Sequence, residues 1–439
     1  MYAGSLAASS FMSKRSVGNN CSFFRAMFRR SPQLLCMSVF LILPSADCHA
    51  ETPQKWAEQQ AAQLTQLYES LHQAPELSHQ EEKTAVRMAG LMREAGLRVT
   101  EKVGGHGVVS VLENGEGKTL LLRADMDALP ILEGNSFDHR STNDGKMHAC
   151  GHDGHTTMLL GAARYLAETK NFDGQVHFIF QPAEEGIGGA KAMIEDGLFE
   201  QFPCDVIFGM HNRPNLEVGK FAVRPGAMMA GGGFFDINIT GIGGHGARPE
   251  TGVDPVIVPA QMVTALQTIV SRNIYSQEQA VLSITQIHAG DAYNVIPQTA
   301  HLAGTVRTFS EKTMAIVETN MQRIIDGVAA SFGAEAEFDF RYLFAPTVNT
   351  PSEAQFVADV ISGMVGEENM DRNGPLIMAS EDFSWMLREV PGAYFNIGNG
   401  AGESGCEVHN PGYDFNDDAL TLGASAFVNI VETRLSRED

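Results

Sequence analysis

This chain is predicted to be a two-part α/β protein. The larger domain has a mixed, mostly parallel sheet, and a ferredoxin-like β-α-β-β-α-β domain is inserted into it. Apolar strand-like runs alternate with helical repeats over residues 108–210, the rhythm of a sheet covered by helices on both faces. From Phe234 the order becomes strand, helix, strand, strand, helix, strand, the split βαβ pattern. After residue 341 the α/β rhythm returns. The expected boundaries are therefore 51–230 and 342–439 for the larger domain, 231–341 for the insert and 1–50 for a leader.

Taken in order, Leu64, Leu67 and Leu71 share one helical face. Ala85, Met88 and Met92 do the same after the polar start Ser78-His79-Gln80. Strands are expected at 108–112 and 119–123, the second almost wholly apolar, and a helix at 155–169. Strands follow at 176–180 and 205–210, with helix at 191–198 between them. In the insert, Phe235, Ile237 and Ile239 alternate along a strand at 234–240. A helix at 255–270, strands at 281–288 and 300–309, a helix at Glu311–Phe332 and a strand at 334–342 complete it. The last part holds a helix from Ser352, a strand at 393–397 and a helix at 417–434.

The 439 residues, 44% of them apolar, suffice for two to three domains with substantial cores. Lys+Arg is 31 against Asp+Glu 53, a net charge of -22. Such an acidic surface excludes nucleic acid and anionic lipid as partners. The first fifty residues have another character. Arg25, Arg29 and Arg30 precede an apolar run at 34–43, then Ser45-Ala46-Asp47-Cys48-His49-Ala50. This is the pattern of a secretory signal peptide cleaved after Ala50, with Met27 as an alternative start. The run is too short to span a bilayer, so an exported protein, periplasmic or secreted and not membrane-bound after cleavage, is expected. Cys21, Cys36 and Cys48 fall in the leader, leaving Cys150, Cys204 and Cys406. Three is odd, so at least one thiol is unpaired, and a metal would explain why it stays so.

Polar clusters follow the predicted strands. Arg123-Ala124-Asp125-Met126-Asp127, Gln181-Pro182-Ala183-Glu184-Glu185 and Met210-His211 each end one, and open α/β sheets bind ligands at that edge. His148-Ala149-Cys150-Gly151-His152-Asp153-Gly154-His155 lies before a helix, and Val408-His409-Asn410-Pro411 near the chain's end. Each cluster alone reads as a turn, a solvated acid pair or a disulfide half. Together Cys, His and Glu are ligands for a borderline-soft divalent ion. Five candidate ligands exceed the three that one catalytic zinc usually takes, so two ions are expected, polarising a carbonyl and acidifying water. The pair Glu184-Glu185 suits a division between proton acceptor and ligand, on an irregular turn marked by Pro182 and Gly186.

These motifs resemble the M20 metallopeptidases, in the subgroup of N-acyl-amino-acid amidohydrolases, hippurate hydrolases and plant auxin-conjugate hydrolases. Leu71-His72-Gln73-Ala74-Pro75-Glu76-Leu77, Gly243-Gly244-His245-Gly246-Ala247-Arg248-Pro249 and Asn294-Val295-Ile296-Pro297 extend the match in family order. The resemblance implies a catalytic larger domain and an insert serving dimerisation and as a lid. It implies two divalent ions per subunit, Mn or Zn first and Co or Ni as alternatives, with Cys150 bridging and His152, Glu185, His211 and His409 completing the shell. It makes Glu184 the general base and Asp127 the residue orienting a ligand. His245 becomes an oxyanion donor reaching a partner's site, and Asn294 and Arg307 the groups holding the substrate carboxylate. The implied activity is hydrolysis of N-acyl or aryl-acyl amino acids to carboxylate and amino acid by a homodimer. A dipeptidase or carboxypeptidase on the same site is the alternative, and a non-catalytic periplasmic solute-binding protein the alternative of another class. Ile242 stands where family members commonly carry a basic residue, and the leader departs from the many cytoplasmic members.

Overall fold

A computed structural model describes residues 52–186, 188–400 and 405–437; the expected leader and its expected cleavage point lie outside the described residues. An eight-stranded sheet runs in the order Arg98–Val103, Gly107–Asn114, Gly174–Gln181, Thr119–Asp125, Val206–Arg213, Gly392–Gly398, Phe221–Ala222, Met370–Asp371. Its four central strands, Gly174–Gln181 through Gly392–Gly398, are parallel, and antiparallel pairs flank them. Their carboxyl ends therefore meet at one edge.

Alternation along these strands explains the burial on both faces. Leu120 and Leu122 pack into one apolar cluster and Leu121 into the other; Phe178 and Phe180 oppose Ile179 in the same way. The larger cluster lies under the helices Ala61–His72, Glu82–Glu94, His152–Thr169, Pro351–Val365 and Ala419–Arg434. The smaller lies under Gly189–Glu195, Leu198–Gln201 and Phe383–Glu389.

The segment from Gly231 forms a second, fully antiparallel sheet in the order Ala280–Ala289, Thr299–Thr308, Gly231–Thr240, Glu335–Phe344. That is the ferredoxin-like order. Phe235, Ile237 and Ile239 pack with Leu302 and Val306 beneath Met262 and Leu266 of the helix Ile257–Thr268 and Val317, Met321 and Ile325 of the helix Glu311–Phe332. Strand Ala280–Ala289 is an edge, with Val281 and Ile287 exposed.

Three expected elements differ. The helix expected from residue 155 starts at His152, because Gly151 at φ 93° turns the chain into it one residue after Cys150. The 191–198 helix is two pieces, broken at Gly197 with φ 85°. The helix expected to 270 is α-helical only to Thr268 and then widens into a π-turn, Ile269–Asn273. The strand Arg98–Val103 was not expected; it is only half-buried and polar, so it carries little apolar alternation.

The helices His152–Thr169 and Ala419–Arg434 approach closely through small residues. A Cβ on Gly423 would overlap Met158 Sδ. Gly423→Ala should lower the unfolding free energy by about 1–3 kcal/mol through overpacking. Gly363, exposed on the helix Pro351–Val365 with nothing within 4 Å of its Cβ position, is the control. Gly363→Ala should raise stability by about 0.5–1 kcal/mol. Denaturant midpoints measure both.

Candidate metal centre

Three of the parallel strands deliver acids and imidazoles to the common edge. Thr119–Asp125 ends in Asp125 and leads to Asp127; Gly174–Gln181 leads to Glu184 and Glu185; Val206–Arg213 contains His211. Glu184 and Glu185 follow Ala183, whose φ of 51° makes the irregular turn that the adjacent acids require. Gly151, between Cys150 and His152, has no room for a side chain: a Cβ there would lie 2.6 Å from Asn212 Oδ1. His409 adopts φ 65°, and its N–H donates to the Ala149 carbonyl at 2.7 Å, tying the carboxy-terminal loop beside Cys150.

Ligand atoms of Cys150, His152 and Glu185 lie within 4.8 Å of one another. Cys150 Sγ is 3.5 Å from His211 Nε2, and His409 Nε2 is 3.0 Å from Glu185 Oε1. All five expected ligands thus converge. The last approach is short, yet Glu185 Oε1 is buried without an aligned hydrogen bond, and so is His152 Nε2. Lone pairs facing a common point rather than each other leave this pattern. The other nitrogens are occupied: His152 Nδ1 lies 2.9 Å from the Asp127 carbonyl and 3.2 Å from its Oδ1, and His211 Nδ1 2.7 Å from the Asn212 carbonyl. Such partners orient metal-binding imidazoles.

Asp127 also accepts from Ser78 Oγ at 2.6 Å and from the Glu185 backbone N–H at 3.0 Å. Burial alone would raise its pKa, but the hydrogen bond and charge of His152, with the Ser78 and Glu185 hydrogen bonds, together outweigh this, and the carboxyl lies below the usual range. Burial would lower the pKa of His152, but Asp125, then Asp127, hold it up to about 10, so positive charge is favoured beside these acids. Burial, then Glu185 and Glu184, push the Cys150 thiol well above its ordinary value. Its thiolate therefore needs a cation beside it. Burial and neighbouring His155 push His211 well below its ordinary value, leaving a neutral imidazole whose Nε2 lies 3.5 Å from Cys150 Sγ. The donor set fits a borderline divalent ion. Cys150 and Cys204 form no disulfide.

Glu184 is almost fully buried, and burial, then Glu381 and Glu185, raise its pKa well above the carboxylate range. A buried network backs it, of which the motifs carried Arg123, Asp125 and Gln181 but not Glu381, Asp382 or Tyr394. Arg123, with no exposure, donates to Gln181 Oε1 at 2.8 Å, Asp125 Oδ2 at 2.6 Å, Glu381 Oε1 at 2.8 Å and Asp382 Oδ1 at 3.3 Å. Tyr394 Oη donates to the other Glu381 oxygen. Asp125 Oδ1 is 2.6 Å from His155 Nδ1, and His155 Nε2 is 2.7 Å from Asn212 Oδ1. Both His155 nitrogens are thereby engaged, which removes His155 from the ligand set although it lies among the ligands. Two signals pointed to the network: a charged pair two residues apart in an otherwise apolar strand, and the acid pair Glu381-Asp382 before a short helix.

A cleft of about 520 Å³ opens over the centre. Cys150, Glu184, Glu185, His211 and His409 line it, with Arg307 of the second sheet and an apolar wall of Met229, Phe344 and Ile377. His245 and Asn294 do not line it. They sit together at a two-stranded antiparallel ribbon, Gly244–His245 with Val295–Ile296, where Gly246 N–H donates to the Asn294 carbonyl at 2.8 Å, and both are exposed.

Residues 121–433 match the family described as peptidase family M20/M25/M40. The chain is 41% identical over 369 residues to the hippurate hydrolase of Campylobacter jejuni, covering 84% of this chain and 95% of that one. It is 38% identical over 371 residues to thermostable carboxypeptidase 2 of Saccharolobus solfataricus, covering 83% and 93%. Among solved structures it superposes with TM-score 0.75 on a dinuclear metal-binding peptidase of the M20 family from Bacillus subtilis, 32% identical, covering 86% of this chain and 99% of that one. With its converging cysteine, histidine and glutamate side chains at the sheet's carboxyl edge, the chain belongs to peptidase family M20/M25/M40, in the amidohydrolase subgroup.

Proposed function

We propose that the protein is a metal-dependent hydrolase that cleaves the amide of N-acyl or aryl-acyl amino acids to a carboxylate and a free amino acid. The observation that carries this is the buried Glu184 beside five converging candidate ligands, in a cleft with an apolar wall and the guanidinium of Arg307, a second, Arg213, lining it too. Binding alone needs no such base, which argues against a solute-binding role. Similarity to the carboxypeptidase keeps peptide substrates as the second reading.

Cys150, His152, Glu185, His211 and His409 would hold two divalent ions, Mn or Zn first. When bound, such ions supply a Lewis acid for the scissile carbonyl and lower the pKa of water. The chain's own residues do the rest. Glu184 takes a proton from the attacking water at its carboxylate and passes it to the nitrogen of the leaving amine as the C–N bond breaks. Asp127 holds His152 in the tautomer that leaves Nε2 free. Arg307, with Asn294, holds the substrate carboxylate. His245 donates to the oxygen of the carbonyl under attack.

Because His245 and Asn294 are exposed and away from the cleft lining, we infer that they serve the site of a second copy. A homodimer through the second sheet is supported by its edge strand Ala280–Ala289 and the exposed Ile287, Tyr293 and Val295. Export to the periplasm or beyond is supported by the basic and apolar leader alone.

Amine release from a panel of N-acyl amino acids and dipeptides, N-benzoylglycine included, separates the two substrate readings. Cys150→Ala and His211→Ala should each abolish turnover and lower the metal content of the purified protein; unchanged content would make the motif structural. Glu184→Gln should abolish turnover with metal retained, since the amide cannot accept a proton; near-normal kcat would remove it as the base. His245→Ala should cut kcat about 10²–10³-fold with metal unchanged. Mixed dimers of His245→Ala with Glu184→Gln should regain activity, because one hybrid site receives both native residues; a verified mixed dimer with none excludes reach in trans.

A further inference from the structure

The strand Gly231–Thr240 opens on three glycines that do different things. A Cβ on Gly231 would lie 2.8 Å from the Pro346 backbone nitrogen, and one on Gly233 would lie 2.5 Å from the Phe340 ring. A Cβ on Gly232 would instead meet side chains first: it would overlap Arg307 Nη1 and lie 2.9 Å from Ser380 Oγ. Gly232 is the direct cross-strand partner of Arg307 and, on its other side, of Phe344. Direct partners present their side chains to the same face, so the guanidinium occupies the space that a side chain at 232 would fill. From there Nη1 donates to Ser380 Oγ at 2.7 Å, and Arg307, Phe344 and Ser380 together line the cleft.

The guanidinium's partners there are uncharged: the Ser380 hydroxyl and the Phe234 ring, whose centre is 5.7 Å away. It is also half-buried. A partly desolvated cation whose recorded partners among the described residues are neutral retains donors for an incoming anion, and a guanidinium presents them in the fork that matches a carboxylate.

We propose that Gly232 is the positioning residue of the cleft's anion subsite. By carrying no side chain it lets Arg307 fold across the strand onto Ser380, where the guanidinium receives the carboxylate of the substrate's amino-acid half. The proposal rests on the reading of Arg307 given above and adds what holds Arg307 in place. Gly232 does not have a positive φ, so alanine is conformationally allowed there. The atom that its methyl would overlap is the far end of the flexible Arg307 side chain, so G232A should fold with little loss of stability and displace Arg307.

The test compares an N-acyl amino acid with its carboxamide, N-benzoylglycine with N-benzoylglycinamide, on the metal-loaded protein, G232A and R307M. The preference for the acid, as a ratio of kcat/KM values, should fall about 10- to 100-fold in both variants, the loss of one charge-assisted contact. The change should appear mainly in KM, with metal content and thermal midpoint near those of the unaltered protein. A ratio unchanged in G232A but collapsed in R307M overturns the role of Gly232 and leaves Arg307 as the anion site. A ratio unchanged in both removes the reading of Arg307 and the proposal with it. Equal losses on acid and carboxamide with a lowered midpoint mark a structural glycine and also overturn the proposal.

Discussion

Arg123 is a single fully buried guanidinium, and the interior of the site depends on it. Its hydrogen bonds join the strand Thr119–Asp125 to Gln181 on the neighbouring strand and to Glu381 and Asp382 before a helix of the opposite layer. Yet it faces more acid than it can neutralise. Burial pushes Asp382 up to about 8 despite the pull of Arg123, and burial with Glu381 and Glu185 keeps Glu184 high. Ionised groups removed from water demand partners. Beyond Arg123, the charge has to come from protons or from ions held by the donors at the strand ends. Buried acids gathered around one guanidinium are thus the constraint that links the network to the chemistry.

The parallel order of the central strands turns this constraint into a site. Because Gly174–Gln181, Thr119–Asp125, Val206–Arg213 and Gly392–Gly398 run the same way, their following loops gather at one edge with no long connection needed. Ala183 and His409 hold left-handed backbones there, and Gly151 opens space against Asn212. Strained or crowded backbone at three segments of one site is tolerated because the surrounding hydrogen bonds over-determine it. The second sheet contributes Arg307 and Phe344 to the cleft lining, and the bond from Arg307 to Ser380 ties it to the larger domain.

Much of this was legible in the sequence because the relevant signals are local. Alternation at Phe235, Ile237 and Ile239, the apolar run ending at Arg123, and the long helix Glu311–Phe332 are periodic within a few residues. Ligand types following strands were equally readable, and the five side chains do converge. The Arg123 network was harder, since Glu381 and Asp382 join it from about 260 residues away and no spacing encodes that contact. The start of the helix at His152 turned on one left-handed glycine, and the slot at Gly232 on cross-strand register. Both are tertiary facts that composition does not carry.

If buried acids and a cysteine thiol really are held together by divalent ions, chelation tests the account most directly. Exhaustive dialysis against a chelator, followed by stepwise return of Mn²⁺ or Zn²⁺, would be tracked by amide hydrolysis and by the thermal midpoint on the same samples. The account predicts that both fall when the ions leave and both return as the ions do, since a ligand bound only by the native state adds its binding energy to stability. A fully stripped protein, verified by elemental analysis, that keeps its midpoint and its turnover would contradict it.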